Sequence, residues 1–299
     1  MSHPHPMPGA AIHLGRTKRS PFRICAYVGL ASGFVVSLAL AARVQISPVT
    51  TTLVAVSGVL TVLVSIGLTR IIAGPQQLVF YRHFIIVIIV ASTFVWLTGQ
   101  PVLPYLDVTV VGISALVACG RIGCLMVGCC HGRPSSFGIC YREWQVTAAF
   151  PSRFLGVRLF PIQALESLWA ACIVVGGCTL LWNQHVPGAG VGWFIATYCP
   201  ARFVFEFFRW RPDPFYSGLS EAQWISLGLL SLIVALESLH VLPYRWWHVA
   251  TVVLLGVLTL SVVLTSSWRR IVHPQLGPHT CETDIAKVPG TFDRARNSS

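Results

Sequence analysis

The chain has 299 residues, of which 54% are hydrophobic and 10% charged, with a formal net charge of +11 and a mean hydropathy of +0.69. Soluble domains carry about 25% charged residues, so a soluble enzyme or a nucleic-acid-binding module is excluded in favour of a polytopic membrane protein. The positive charges stand at the ends of apolar segments, where topology signals and lipid-phosphate contacts belong. Ten cysteines lie mostly in apolar stretches, where a free thiol behaves as a small hydrophobe. No disulfide framework is expected, because that pattern belongs to short secreted chains.

Residues 1–23 form a basic, polar N-terminal segment. The apolar run after it is too long for a cleaved signal and reads as a first spanning helix. Uncharged runs then predict spanning helices over 24–42, 49–69, 78–97, 106–130, 161–182, 190–208, 222–242 and 246–268. Turns fall at 100–104 and 186–190, where Pro and Gly cluster. Residues 133–158 form the longest polar connection, and 271–299 a polar tail of disordered composition. The expected fold is all-α, a transmembrane bundle of eight helices within one domain, 24–270. Lys and Arg gather on one side of this bundle, which by the positive-inside rule places both termini in the cytoplasm.

Polar residues inside such a bundle are expensive unless partnered, so each is a candidate for function. Residues 120–134 read Gly120-Arg121-Ile122-Gly123-Cys124, then Gly128-Cys129-Cys130-His131-Gly132-Arg133-Pro134. Arg121 lies in an apolar segment. In the sixth run, Arg202, Glu206 and Arg209 stand at i, i+4 and i+7 and share one helix face. One arginine can pair with Glu206 while the other meets an anion, since the guanidinium fork donates two hydrogen bonds to a phosphate. A structural ion pair at the helix end remains the alternative. Gln163 and Glu166 share a face at the start of the fifth run. There Glu166 can neutralise Arg121 or an arginine of the sixth run, or simply favour the helix start.

Cys124, Cys129, Cys130 and His131 are all metal-ligand types. Adjacent Cys129 and Cys130 on a regular helix would not face one ion, and zinc pairs are usually spaced C-x2-C. No metal and no cofactor is therefore expected, and the cysteines read as small packing residues. His83 and His131 are the histidines nearest the polar clusters and the candidates for proton transfer.

These motifs resemble bacterial prolipoprotein diacylglyceryl transferase. Gly120-Arg121-Ile122-Gly123 with Gly128 and Gly132 resembles the family pattern G-R-x-G-N-F-x-N-x-E-x-x-G. Pro161, Gln163 and Glu166 resemble H-P-x-Q-x-Y-E, and Arg202, Phe203, Glu206, Phe207 and Arg209 resemble R-F-x-x-E-F-x-R. Leu219, Ser220, Gln223 and Ser226 resemble the family's next helix start. The resemblance covers residues 75–240 and implies seven family helices plus an eighth. It implies a multi-pass protein of the bacterial inner membrane that moves the diacylglyceryl group of phosphatidylglycerol to a prolipoprotein cysteine thiol, releasing glycerol phosphate. On matching positions Arg121, Arg202, Glu206 and Arg209 would carry catalysis. Arg121, Gly123, Cys124, Gly132, Gln163, Glu166, Arg202 and Arg209 would line the lipid site. The resemblance also implies an extracytoplasmic site and N-terminus, against the charge count.

The departures concern the acceptor side. The family histidine of H-G-G falls at Tyr81, in Tyr81-Arg82-His83, and the motif asparagines and glutamate fall at Cys124, Val127 and Cys129. The partners implied are a membrane phospholipid, phosphatidylglycerol, and a prolipoprotein or other acceptor, with no nucleic acid. The alternative is a non-catalytic phospholipid-binding or transport protein that kept the arginine frame.

Overall fold

The computed structural model describes residues 12–14, 17–73, 80–146, 150–183, 186–210 and 219–264. Eight helices succeed one another: α1 Pro21–Val44, α2 Pro48–Ala73, α3 Phe80–Leu97, α4 Val102–Val127, α5 Ile162–Asn183, α6 Ala189–Phe208, α7 Glu221–Ser238 and α8 Trp246–Leu264. The all-α bundle expected from the apolar runs is therefore present. By length and composition α1, α2, α4, α5 and α7 suffice to cross a membrane, whereas the apolar stretches of α3 and α8 are shorter. The outward faces of α2 and α8 remain apolar, with Leu53, Leu60, Leu63, Leu254 and Leu260 exposed. Such a face is stable only against lipid or another apolar surface.

Several boundaries shift. Pro21 opens α1 after Ser20, where its missing N–H costs nothing, so the polar N-terminal segment ends earlier than residue 23. Two short strands, β1 Ile12–Leu14 and β2 Thr17–Arg19, pair antiparallel before α1. The turn expected at 100–104 is shorter, since α4 begins at Val102 with Pro101 as its cap. The connection 133–158 is more than a polar loop. It contains β3 Pro134–Cys140, paired antiparallel with β4 Arg158–Leu159, over a small core of Tyr141, Val146, Phe154 and Leu159. Cys140 is disulfide-bonded, a bond that composition did not announce. The tail 271–299 lies outside the described residues.

Helix α4 is the centre of the bundle. It packs on α1, α5, α6 and α3 and is the most buried of the five spanning helices. Its contact with α1 is antiparallel and very close. A Cβ on Gly29 would meet Cys119 Cβ at 2.9 Å, one on Gly33 would overlap the Gly112 backbone, and Gly123 faces Cys25 and Phe22. Ser37 Oγ donates to the Val108 carbonyl at 3.1 Å. With no hydrophobic drive between helices in lipid, such small-residue seams supply the association through van der Waals contact.

Asp107, fully buried near the start of α4, accepts hydrogen bonds from Gly188 N at 2.8 Å and Val191 N at 2.9 Å. It thus caps α6 from a neighbouring helix, satisfying amides that no residue of α6 serves. Gly188 takes the left-handed φ of +88° this junction needs. At the opposite end three chain segments are stitched by backbone bonds. Gly132 N donates to Phe160 O at 3.1 Å, Phe160 N to Arg133 O at 2.9 Å, Arg133 N to Phe208 O at 3.0 Å and Trp210 N to His131 O at 3.1 Å. The end of α4, the start of α5 and the end of α6 are thereby drawn together, and the starts of α1, α3 and α7 lie at the same end.

Candidate active site

Five charged side chains from α4, α5 and α6 meet at the stitched end. Arg121 Nε lies 3.1 Å from Glu166 Oε2, and Arg202 Nη1 lies 2.5 Å from Glu206 Oε2 and 3.5 Å from Glu166 Oε1. Arg209 Nη2 is bonded to Glu166 Oε1, and Arg209 Nε stands 3.8 Å from Glu206 Oε2. Glu166 is the hub, touching all three arginines. Burying one unpaired charge costs several kcal/mol, and here the charges are networked. Among the described residues three arginines face two glutamates, so the buried cluster keeps one excess positive charge. Arg209 Nε is buried without a hydrogen-bond acceptor.

The i, i+4 pairing of Arg202 with Glu206 on α6 agrees with the helical spacing. Arg209 agrees only in part, because α6 ends at Phe208 and Arg209 is its extended C-cap. Both arginines of α6 touch both glutamates, so neither is left wholly to an anion. Glu166 is more than a helix-start residue, since it neutralises Arg121 and both arginines of α6.

Below the cluster lies a buried aromatic layer. Tyr198 stacks on Phe194 with centroids 5.2 Å apart and meets Tyr81 edge-on at 6.1 Å. Tyr81 Oη lies 2.8 Å from Ser226 Oγ and 3.8 Å from Cys199 Sγ. Ser226 Oγ also donates to the Ala222 carbonyl at 2.8 Å. Tyr198 and Ser226 had no role assigned from the sequence. Tyr198 lies one helical turn before Arg202, and that i, i+4 spacing was the available signal.

One turn at the start of α3 sends two residues to α7 and one to α2. Tyr81 points to α7 as described. Arg82 forms a two-pronged pair with Glu221 at 2.7 and 2.8 Å. His83 Nδ1 lies 2.7 Å from Ser65 Oγ of α2, which removes it from the cluster. His131 is buried between Phe150 and Phe154, with Nδ1 2.9 Å from the Gly132 carbonyl. That burial lowers its pKa.

The glycines of the motif serve packing. Gly123 is at the α1 seam, and Gly132 is wedged between the Phe160 and Phe208 carbonyls. Gln163, fully buried, donates Nε2 to the Cys129 carbonyl at 2.8 Å. The cysteines depart from the helical expectation. Helix α4 ends at Val127, Gly128 turns left-handed with φ +73°, and Cys130 also has a positive φ of +56°. Cys129 and Cys130 therefore leave the helix in a turn, and the sulfurs of Cys124, Cys129 and Cys130 come to within 4.8 Å of one another. The Cys130 thiol is held well below the ordinary range by its contacts with the Cys124 and Cys129 sulfurs, then by Arg209 and Arg121. The same contacts push Cys129 up.

The family described as prolipoprotein diacylglyceryl transferase matches residues 11–238, which is most of the chain and takes in α1 to α7. The chain belongs to that family. Its eighth helix lies beyond the matched range, as the motif order implied. A relative in Clostridium perfringens (strain 13 / Type A), phosphatidylglycerol–prolipoprotein diacylglyceryl transferase 2, is 32% identical over 149 residues, 48% of this chain and 55% of the relative. Phosphatidylglycerol–prolipoprotein diacylglyceryl transferase of Dehalococcoides mccartyi (strain ATCC BAA-2266 / KCTC 15142 / 195) is 33% identical over 129 residues, 43% of this chain and 48% of the relative. That of Clostridium tetani (strain Massachusetts / E88) is 31% identical over 129 residues, 42% and 49% respectively. The chain spans about half the length of the curated relatives it matches. It is a multi-pass, all-α member of a transferase family.

Proposed function

We propose that this protein transfers the diacylglyceryl group of phosphatidylglycerol to an acceptor nucleophile, in a bacterial inner membrane. The observation that carries this is the buried Arg121–Glu166–Arg202–Glu206–Arg209 cluster with its excess positive charge. The acceptor attacks the glycerol carbon that bears the phosphate ester. The carbon–oxygen bond breaks and its electron pair leaves on glycerol phosphate. Arginines already oriented toward that oxygen stabilise the developing charge without reorganising at the moment of reaction. Glu166 and Glu206 fix the guanidinium planes, and Arg209 Nε is a donor still to be satisfied. In the relatives, by their names, the acceptor is a prolipoprotein, and a prolipoprotein cysteine is the acceptor proposed here.

A second reading draws on Tyr81. Its hydroxyl is fully buried beside Ser226 and Cys199, which suits a packing residue better than a base. A phospholipid-binding protein without catalysis would keep the arginines and need no base. Labelled phosphatidylglycerol separates the readings. Arg121→Ala and Arg202→Ala are each expected to lower glycerol phosphate release about 10²-fold or more, the usual cost of removing one such donor. Undiminished release by both would overturn the site. Intact phosphatidylglycerol co-purifying with wild-type protein that releases no glycerol phosphate would favour the second reading.

A further inference from the structure

The three thiols at the end of α4 have no part in the arginine chemistry. Cys124, Cys129 and Cys130 are all free, and their sulfurs lie within 4.8 Å of one another. Three sulfurs around one zinc-class ion at bond lengths of about 2.3 Å stand about 4 Å apart. Closing the difference asks for side-chain adjustments of less than an ångström. A regular helix could not bring two adjacent cysteines to one point. The break at Gly128 and the positive φ at Cys130 do so. A non-glycine residue in that conformation is sparsely populated and tends to mark functional positions.

The turn is also held firmly. Gln163 clamps the Cys129 carbonyl, Tyr141 Oη donates to the Leu125 carbonyl at 2.8 Å, and His131 and Gly132 are stitched to Trp210 and Phe160. Three thiolates and a divalent cation sum to −1, and Arg121 and Arg209 stand beside Cys130.

We propose that Cys124, Cys129 and Cys130 bind a thiophilic divalent cation of the zinc class, whose open fourth position takes the acceptor's thiol as a thiolate. The inference rests on the transferase reading and deepens it. His131 is not among the residues whose ligand atoms converge, so among the described residues three protein ligands are supplied. Three ligands with one open position are the arrangement of catalytic rather than structural zinc. A thiol that coordinates such an ion is deprotonated outright. The ion thus takes over the task of a base, in a protein where the residue at the family's histidine position is the buried Tyr81. The proton goes to water, the thiolate pair forms the new carbon–sulfur bond, and the carbon–oxygen pair leaves on the phosphate held by the arginines. No oxidant or reductant is required.

The full chain in detergent, stripped with a chelator and reloaded with zinc, tests this by elemental analysis. One zinc per chain is expected, lost in Cys129→Ser and in Cys130→Ser. Thermal melting of each variant checks that it still folds, and Cys124→Ser gives a third, helix-borne comparison. Loading with cobalt gives a spectroscopic readout independent of turnover. Its absorption is expected to shift on adding a cysteine peptide and to stay unchanged with the serine counterpart. No stoichiometric zinc, or zinc retained by all three variants, overturns the proposal. Glycerol phosphate release that survives chelation in metal-free protein overturns it too, while leaving the transferase reading intact. Stoichiometric zinc and a cobalt shift without any release support the ion site and count against the transferase reading.

Discussion

Glu166 carries more of the site than any other side chain. It touches Arg121, Arg202 and Arg209, and Glu206 is the other carboxylate of the cluster among the described residues. Replacing it with Gln leaves three buried guanidinium groups facing one carboxylate. Removing one partner of a buried pair costs about 3–5 kcal/mol, so Glu166→Gln is expected to lower the melting temperature in detergent strongly. The double variant Glu166→Gln with Arg121→Gln leaves two arginines to one carboxylate, which restores the excess of one positive charge, and is expected to recover part of the loss. A single variant as stable as wild type would show that the network does not hold these helices. The role of Glu166 was only half legible in the sequence. Periodicity could place Arg202 and Glu206 on one face, because both lie on one helix. It could not show that Glu166 serves three helices at once, since that depends on how α4, α5 and α6 converge.

At the scale of elements, the ends matter more than the spans. Hydropathy located all eight helices, because lipid demands long uncharged runs. It missed the turn at the end of α4, because the convergence of the cysteines there is written in backbone conformation rather than in composition. Reading the fourth run as helical as far as residue 130 made Cys129 and Cys130 look divergent, whereas the break at Gly128 makes them converge. The motif glycines can be told apart by what surrounds them. A Cβ at Gly120 meets nothing within 4 Å, whereas one at Gly132 would strike the Phe160 and Phe208 carbonyls. Gly120→Ala is therefore expected to leave stability and transfer unchanged. Gly132→Ala is expected to destabilise by about 1–3 kcal/mol, the usual cost of overpacking, and to lower transfer by unstitching α5 and α6 from α4. Thermal melts and glycerol phosphate release of the two variants, measured side by side, check the contrast.

For the whole molecule, the starts of α1, α3, α5 and α7 and the ends of α4 and α6 occupy one end, so the start of α1 and the arginine cluster share an end of the bundle. The described positive charges at Arg23, Arg133, Arg142, Arg153, Arg158 and Arg209 are at that end too. The charge count would put that end in the cytoplasm, whereas the family resemblance implies the outer side. Of the charges named, Arg209 alone belongs to the cluster, so the functional arginines account for only part of the disagreement. A tag at the N-terminus and a cysteine-directed label at Ser136→Cys are expected to be reached from the same side, the outer one, in intact cells. Access to the two from opposite sides would contradict the helix arrangement. Access to both only after permeabilisation would place the site in the cytoplasm.

Asp107 has a consequence for motion. It fastens the first amides of α6 to the start of α4, and the arginine–glutamate network fastens the same two helices, through α5, about 14 residues further along α4. At a rise of about 1.5 Å per residue, the two rivets are roughly 20 Å apart. Two helices riveted at both ends cannot act as a piston or slip by a turn. A lipid reaching the arginines must therefore enter through a door hung on other hinges. Helix α2, which packs mainly on α3 and α1 and least on this frame, is where that door would swing.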